Sequence, residues 1–318
     1  MPSADILYNP VAGRVNADDA VQRAAAVLES AGWDVHLKHT RSARHTTRLA
    51  RRAAEKGRSA VFVAGGDGSL GEAARGLLGS RTALGVLPSG TANVWAQELG
   101  YETLTAFRPT ALEDAARIQA AGWTQWMDMG LCNDRPFLLW TGAGLDGEVV
   151  RQMEGQRASR RAFPYVRYAW YILQSIFRWR GLRLKMEVDG QPLDERYILA
   201  LVSNIRLYNG GFTTLAERNC VDDGQLDLWL FRGENPGDSF RYVVELLSNR
   251  HHDDPAVTRH TFERIRLEAT RRVNLQMDGD SVRMKRELEI RVAPRALRVL
   301  VPNPPPEGLF SQPPEQLT

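Results

Sequence analysis

Val61-Phe-Val-Ala-Gly-Gly-Asp-Gly-Ser-Leu70 runs from four apolar residues into a glycine-rich turn carrying an aspartate and a serine. Gly65, Gly66 and Gly68 allow the backbone to approach an anion and to adopt positive φ. A helix-compatible stretch, Leu70–Leu78, follows, so the free N–H groups and partial positive charge of a helix N-terminus would face the same point. The chemistry this predicts is phosphate binding. Asp67 repels phosphate unless a cation offsets it, as the Mg²⁺ of a nucleotide would. On its own the stretch is equally a tight glycine turn with a solvated aspartate.

The elements that must hold this turn are legible as an alternation. Asp5–Tyr8, Trp33–Lys38, Ser59–Ala64 and Ala83–Leu87 read as strands. Ala17–Ser30, Ala43–Lys56, Leu70–Leu78 and Asn93–Leu99 read as helices, with Gly32, Gly57, Gly79 and Gly100 as C-terminal stops. Such alternation predicts a mainly parallel sheet with helices on both faces, which binds ligands beyond the carboxyl ends of its strands. The strands end in polar turns: Asn9-Pro10-Val11-Ala12-Gly13, His39-Thr40, Gly65 to Ser69, and Pro88-Ser89-Gly90-Thr91-Ala92-Asn93. These four line one rim.

After Trp126 short β-like runs dominate: Phe137–Thr141, Leu182–Val188, Arg196–Ser203, Leu226–Phe231, Arg264–Glu268, Arg272–Met277 and Leu288–Val292. Asp189-Gly190 and Asp278-Gly279 have the composition of hairpin turns, which leaves Asp280 solvated on pattern alone. Helical segments are expected at Pro164–Trp179 and Asp238–Arg250. The expected division is an α/β domain over 1–127, an antiparallel β-sandwich over 128–301 whose last strand returns to the first domain, and a proline-rich, poorly ordered tail over 302–318. His251-His252-Asp253-Asp254 reads as a solvated loop, and the six histidines show no metal-ligand spacing.

Bulk composition narrows the class. A chain of 318 residues with 43% hydrophobic content supports two domains with real cores. Two cysteines, Cys132 and Cys220, exclude a disulfide framework and point to a reducing compartment. Pro2-Ser-Ala-Asp5 leads straight into Ile6-Leu-Tyr8, and no apolar run approaches the roughly 20 residues of a membrane span. The expected location is cytoplasmic. Net charge is +3, yet Arg151–Lys185 alone carries +8 and the rest of the chain −5. Within that segment Phe163–Trp179 interleaves aromatic residues with flanking arginines. Such a segment docks on an anionic membrane surface, covers a lipid cleft, or is a core helix with charged ends.

The order Asn9-Pro10…Gly13, Gly65-Gly-Asp-Gly-Ser69, Leu87-Pro-Ser-Gly-Thr-Ala-Asn93, Gly142-Ala-Gly-Leu-Asp146, Tyr208-Asn-Gly-Gly-Phe212, Asp223-Gly-Gln-Leu-Asp227 and Asp278-Gly-Asp280 resembles the diacylglycerol kinase catalytic-domain family. More narrowly, it resembles the soluble bacterial YegS/DgkB-type lipid kinases, which are relatives of sphingosine and ceramide kinases. The resemblance runs from about Ile6 to Val292. It implies an α/β nucleotide domain followed by a β-sandwich, with the active site in the cleft between them, and ATP-dependent phosphorylation of a hydroxyl of diacylglycerol or a related lipid. It implies that Gly65, Gly66, Asp67, Gly68, Ser69, Leu70 and Gly71 wrap the ATP phosphates, with Asn9, Thr40 and Thr91 at neighbouring strand ends. Asp67 would act on the Mg²⁺-bound phosphates, and Asp280 would accept the proton of the lipid hydroxyl. A second, structural metal would take Asp223 and the carbonyls of Cys220 and Gln225. Partners implied are a lipid, a peripheral membrane contact and a second copy in a homodimer, with no nucleic acid.

Two departures bear on chemistry. Asp280 stands where the family carries Glu, which shortens the reach by one methylene. Gly71 stands where relatives often carry Asn, which removes one amide from the phosphate turn. An NAD kinase shares the Gly-Gly-Asp-Gly turn and is the enzymatic rival. A catalytically silent nucleotide- or lipid-binding regulator is the other.

Overall fold

The computed structural model describes residues 1–10, 17–154, 174–217, 220–269, 274–283 and 286–317. The turn residues 11–16, Gly13 among them, and most of the basic aromatic segment therefore lie outside the described residues; of that segment, 174–178 forms a helical turn.

The first domain alternates as expected. Strands β1 (Ser3–Tyr8), β2 (Asp34–His39), β3 (Ala60–Gly65) and β4 (Ala83–Pro88) form a parallel sheet in the order β4-β3-β1-β2. Helices α1 (Ala17–Ser30) and α5 (Ala111–Gln119) pack together, and so do α2 (Ala43–Glu55) and α3 (Asp67–Leu77). Gly32, Gly57, Gly79 and Gly100 sit at φ between 70° and 89°, the left-handed conformation that ends a helix and that an L side chain resists. β3 and β4 are buried on both faces, which is why they read as unbroken apolar runs. Short α4 (Val94–Glu98) follows the β4 turn.

The second domain is antiparallel. Its strands are β5 (Trp123–Cys132), β6 (Arg135–Phe137), β7 (Trp140–Gly144), β8 (Leu182–Val188), β9 (Gln191–Ser203), β12 (Leu226–Arg232), β13 (Val257–Phe262), β14 (Arg264–Ala269), β15 (Asn274–Met277), β16 (Asp280–Arg283) and β17 (Glu287–Leu300), with two-residue β10 (Leu207–Tyr208) and β11 (Thr213–Thr214) forming a small ribbon. The expected single strand Phe137–Thr141 is instead two, β6 and β7, because the chain breaks at 138–139 to face Asp278. Both predicted hairpins are present: Asp189 and Gly190 (φ 46° and 85°), and Asp278 and Gly279 (φ 47° and 82°), take the paired positive φ of a two-residue turn. β9 changes partners along its length, pairing β8 through its first half and β7 and β12 through its last residues. A second core of buried residues runs from Cys132 to Ile290. Helix α6 (Leu145–Glu154) follows β7, and α7 (Pro236–Leu247) opens on an Asn235–Asp238 capping box.

β17 ties the two domains. It pairs β14 and β5 through its first residues, bulges between Ala293 and Leu297, then pairs β5 again and reaches β4 in parallel at Val299↔Leu84. All strands except β10 and β11 therefore form one continuous 16-stranded sheet.

Two expectations fail. The tail is laid down in order: Leu309 is fully buried, Val221 N–H donates to its carbonyl (3.0 Å), and β18 (Glu315–Gln316) pairs β5. Its prolines leave the chain extended, which suits strand addition at an edge. His251 is fully buried in a 3₁₀ turn beside Trp229 and Phe231, and burial with the neighbouring His252 pushes its pKa down to about 4. Asp254 is 8% exposed.

Candidate active site

The donor rim is assembled from strand ends. Thr40 N–H donates to Tyr8 O (2.7 Å), which sets Thr40 beside Asn9. Gly65 to Ser69 close β3 into the first turn of α3, with Ser69 and Leu70 N–H donating to Gly66 O. None of Gly65, Gly66 and Gly68 takes the positive φ expected of them; Gly66 sits at φ −100°. Their smallness serves close approach instead. A Cβ on Gly90 would lie 2.3 Å from Gly66 Cα and 2.8 Å from Asn93 Oδ1, so the β3 and β4 turns touch backbone to backbone.

Asn93 holds that contact. It adopts the left-handed conformation (φ 55°), is 2% exposed, accepts from Gly90 N–H (2.9 Å) and donates to Gly90 O (3.0 Å) and Thr103 Oγ1 (3.2 Å). Asp67 turns the same way. Its Oδ1 accepts from Trp95 N–H (3.3 Å) at the start of α4, and burial raises its pKa against the pull of the surrounding N–H groups. Asp67 thus clips α3 to α4, while Thr91 stays exposed on the rim.

α4 carries this rim to the second domain. Buried Glu98 accepts from Arg206 Nε (2.9 Å) and Leu207 N–H (2.5 Å), and burial raises its pKa against the neighbouring guanidinium. Gln97 donates to Ala92 O (2.7 Å) and Gly210 O (3.2 Å), and its amide lies where a Gly211 Cβ would be, at 2.2 Å. The Pro88–Asn93 and Tyr208–Phe212 motifs are therefore one surface.

The second domain's side of the site is built on buried carboxylates. Asp278, 6% exposed, accepts from the N–H groups of Leu138 (2.9 Å), Leu139 (2.8 Å) and Trp140 (3.4 Å). Its Oδ2 lies 2.9 Å from where a Gly71 Cβ would stand, so this carboxylate rests on the backbone of α3. Burial pushes its pKa up to about 6, opposed by those N–H groups and by Arg75. Asp280, two residues on, opens β16 and is half-buried. Asp146 at the start of α6 is raised to about 6 by burial; Tyr208 and Gln276 reach its carboxyl, while its Oδ2 has no hydrogen-bond partner among the described residues.

Cys220, Asp223 and Gln225 come together as walls of one cavity of about 310 Å³, shared with Asp227, Arg259 and Phe310. Among the described residues no group of three or more His, Cys, Asp or Glu side chains is arranged to hold a metal. One carboxylate and two carbonyls are nonetheless a hard oxygen set of the kind Mg²⁺ or Ca²⁺ accepts. Asp222 does not join it, being held by Ser311 N–H (2.8 Å) and Oγ (3.0 Å). Asp128, fully buried, accepts from Gly224 N–H (2.6 Å) and from Arg295 N–H (2.7 Å) in the β17 bulge, which fixes the turn that carries Asp223.

The structure thus gathers Asn9 and Thr40, the Gly65–Gly71 turn and Thr91 on one rim. It brings Asp278, rather than Asp280, against α3, and it sets the Asp223 turn apart around Asp128. Asp278, Arg75, Glu98 and Asp128 escaped sequence reasoning. For Asp278 the signal was present, as the first residue of the Asp-Gly-Asp motif; for the others the partners lie across the fold and leave no local pattern.

Residues 3–132 match the diacylglycerol kinase catalytic domain, and residues 140–301 match the YegS C-terminal NAD kinase beta sandwich-like domain. A diacylglycerol kinase of Mycobacterium tuberculosis is 31% identical over 304 residues, 93% of this chain and 94% of the relative. A diacylglycerol kinase of Bacillus subtilis is 26% identical over 286 residues, 88% of this chain and 90% of the relative. A crystal structure of a diacylglycerol kinase from Bacillus anthracis superposes with a TM-score of 0.70 at 21% identity, covering 94% of this chain and 96% of its own, which supports the fold.

Proposed function

The chain belongs to the YegS/DgkB-type lipid kinase family, and from that membership we propose that it transfers the γ-phosphoryl group of ATP to a hydroxyl of diacylglycerol or a closely related lipid. The observation that carries this reading is the meeting of the two halves at α3: the phosphate turn opens the helix, and the Asp278-Gly-Asp280 hairpin rests on it one turn later at Gly71.

Gly65 to Gly71 wrap the phosphates at the N-terminus of α3, with Asn9, Thr40 and Thr91 around them. Asp280 takes the proton of the lipid hydroxyl as its oxygen attacks the γ-phosphorus; the bond to the β–γ bridging oxygen breaks and ADP leaves. Phosphoryl transfer needs mostly positioning and charge stabilisation, so a base and a held donor form a sufficient set. Mg²⁺, when bound with ATP, supplies charge neutralisation on the transferring group. Asp67, clipped to α4, orients the turn and faces that charge. A structural divalent cation, if bound, would be held by Asp223 and the carbonyls of Cys220 and Gln225 and would stiffen that turn. Asp146 is buried beside Tyr208, whose side chain reaches its carboxyl.

No described helix is long and apolar enough to cross a membrane. Phe177 is 65% exposed and is followed by exposed Arg178 and Arg180, a composition that suits an anionic interface.

Labelled ATP offered with mixed lipids, and separately with NAD, tests the reading. Label in a lipid product, lost in Asp67→Ala and Asp280→Ala, supports it. Label in NAD alone, or in nothing, refutes it.

A further inference from the structure

α3 carries the phosphate turn on its first residue and leans on the acceptor domain farther along. Asp67, Gly71 and Arg75 recur every four residues and so share one face of the helix. The Arg75 guanidinium is 10% exposed. Its Nε donates to Pro136 O (2.8 Å) in β6, its Nη1 pairs with Glu72, and its Nη2 lies 3.8 Å from Asp278 Oδ2. Glu72 is itself fixed, accepting from Thr47 Oγ1 of α2 (2.5 Å). One side chain therefore grips the β5–β6 hairpin through a carbonyl and the β15–β16 hairpin through a carboxylate.

Gly71 makes the grip possible. A Cβ there would stand 2.9 Å from Asp278 Oδ2 and 3.5 Å from its Cγ, and Asp278 cannot retreat without leaving the N–H groups of Leu138 and Leu139. The absence of an amide at position 71, a loss when the phosphate turn is considered alone, is what lets the acceptor domain touch α3.

We propose that Arg75, working through Asp278 and the bare backbone at Gly71, is a positioning residue that sets the distance between the phosphate turn and the acceptor domain. This rests on the kinase reading. A buried ion pair is weak evidence for stability, since desolvation offsets its attraction. What the pair supplies is register. An α-helix is stiff over this length, so a displacement at Arg75 reaches Asp67, roughly 12 Å away along the axis. Misplacement of reacting groups by about 1 Å costs on the order of 10²-fold in rate.

The test is a kcat–KM split with ATP and a short-chain, water-dispersed diacylglycerol. Arg75→Met is expected to lower kcat by about ten- to a hundredfold and to leave the KM for ATP within about twofold, because the phosphate turn itself is untouched. Arg75→Lys is expected to recover part of the loss, since it keeps the charge and lacks the fork. Gly71→Ala is expected to lower kcat as Arg75→Met does and, because Gly71 also closes the phosphate turn, to raise the KM for ATP as well. A KM increase at constant kcat, or an unchanged kcat in both Arg75→Met and Gly71→Ala, overturns the proposal. If the wild-type chain phosphorylates no lipid, the kinase reading fails, and the latch is judged by urea unfolding of Arg75→Met, Asp278→Asn and the double variant. Non-additive effects then support the latch and additive ones overturn it.

Discussion

The two halves of the site use the same groups in opposite ways. On the donor side, backbone is pressed against backbone: Gly66 meets Gly90, and Asn93 and Asp67 spend their side chains holding N–H groups in place. On the acceptor side, carboxylates are folded into the protein and N–H groups hold them: Leu138 to Trp140 hold Asp278, and Gly224 and Arg295 hold Asp128. A phosphate carries its own charge, so its cradle needs only oriented N–H groups. A lipid hydroxyl brings none, so the protein must supply charge and keep it buried. The donor half is a shape, and the acceptor half is a set of ionisations.

The largest expected effect falls on the acceptor half. Asp280→Ala should lower phosphoryl transfer by about 10²–10⁴-fold with little change in thermal unfolding, because Asp280 is half-buried at a strand start. A stability loss equal to the activity loss would show that Asp280 is structural and blur the contrast. On the donor half, Gly90→Ala places a Cβ 2.3 Å from backbone and should destabilise by about 3 kcal/mol in urea unfolding. A near-neutral result would mean that the turns separate freely.

Next comes pH. Burial raises Asp146 and Asp278 to about 6 from 3.8. The folded chain holds these protons to higher pH than the unfolded chain, so their contribution to stability is fully present below the unfolded value and is lost as pH rises through about 6. Asp146→Asn should flatten that loss by about 3 kcal/mol between roughly pH 4 and pH 7, while impairing turnover. Equal pH profiles for variant and wild type would remove Asp146 from the set. The smallest effect belongs to an exposed hydroxyl on the donor rim. Thr91→Ala should cost about 1 kcal/mol in ATP affinity, measured by calorimetry. A much larger loss would mean that side chains, and not backbone shape, carry the donor half.

The same contrast decides what the sequence made legible. The parallel sheet, four of its helices and their glycine stops follow from short-range periodicity, and the structure reproduces them within three residues, adding Ala111–Gln119 as a further helix. The Gly65–Ser69 turn is equally local. Asp278 is not: Asp-Gly announces a hairpin and is right about the backbone, yet the carboxylate folds inward to an N–H group 140 residues away. His251 and the tail fail for the same reason. His-His-Asp-Asp and a run of prolines are polar and irregular as strings, and only what packs over them, Trp229 and Phe231 in one case and the edge of β5 in the other, makes them interior or ordered. Glu98 and Arg206 meet across 108 positions, a distance no window of sequence spans.

β17 has a consequence for how the protein is made. Its residue Val299 completes the sheet of the first domain beside Leu84 of β4. A ribosome finishes the first four strands long before it reaches that residue, so the emerging chain displays β4 as an open edge while the whole second domain is synthesised. Open edges invite pairing with the wrong strand. The first domain thus closes last, at the moment the polypeptide is nearly complete, and a nascent chain interrupted in its second half leaves an unfinished first half exposed.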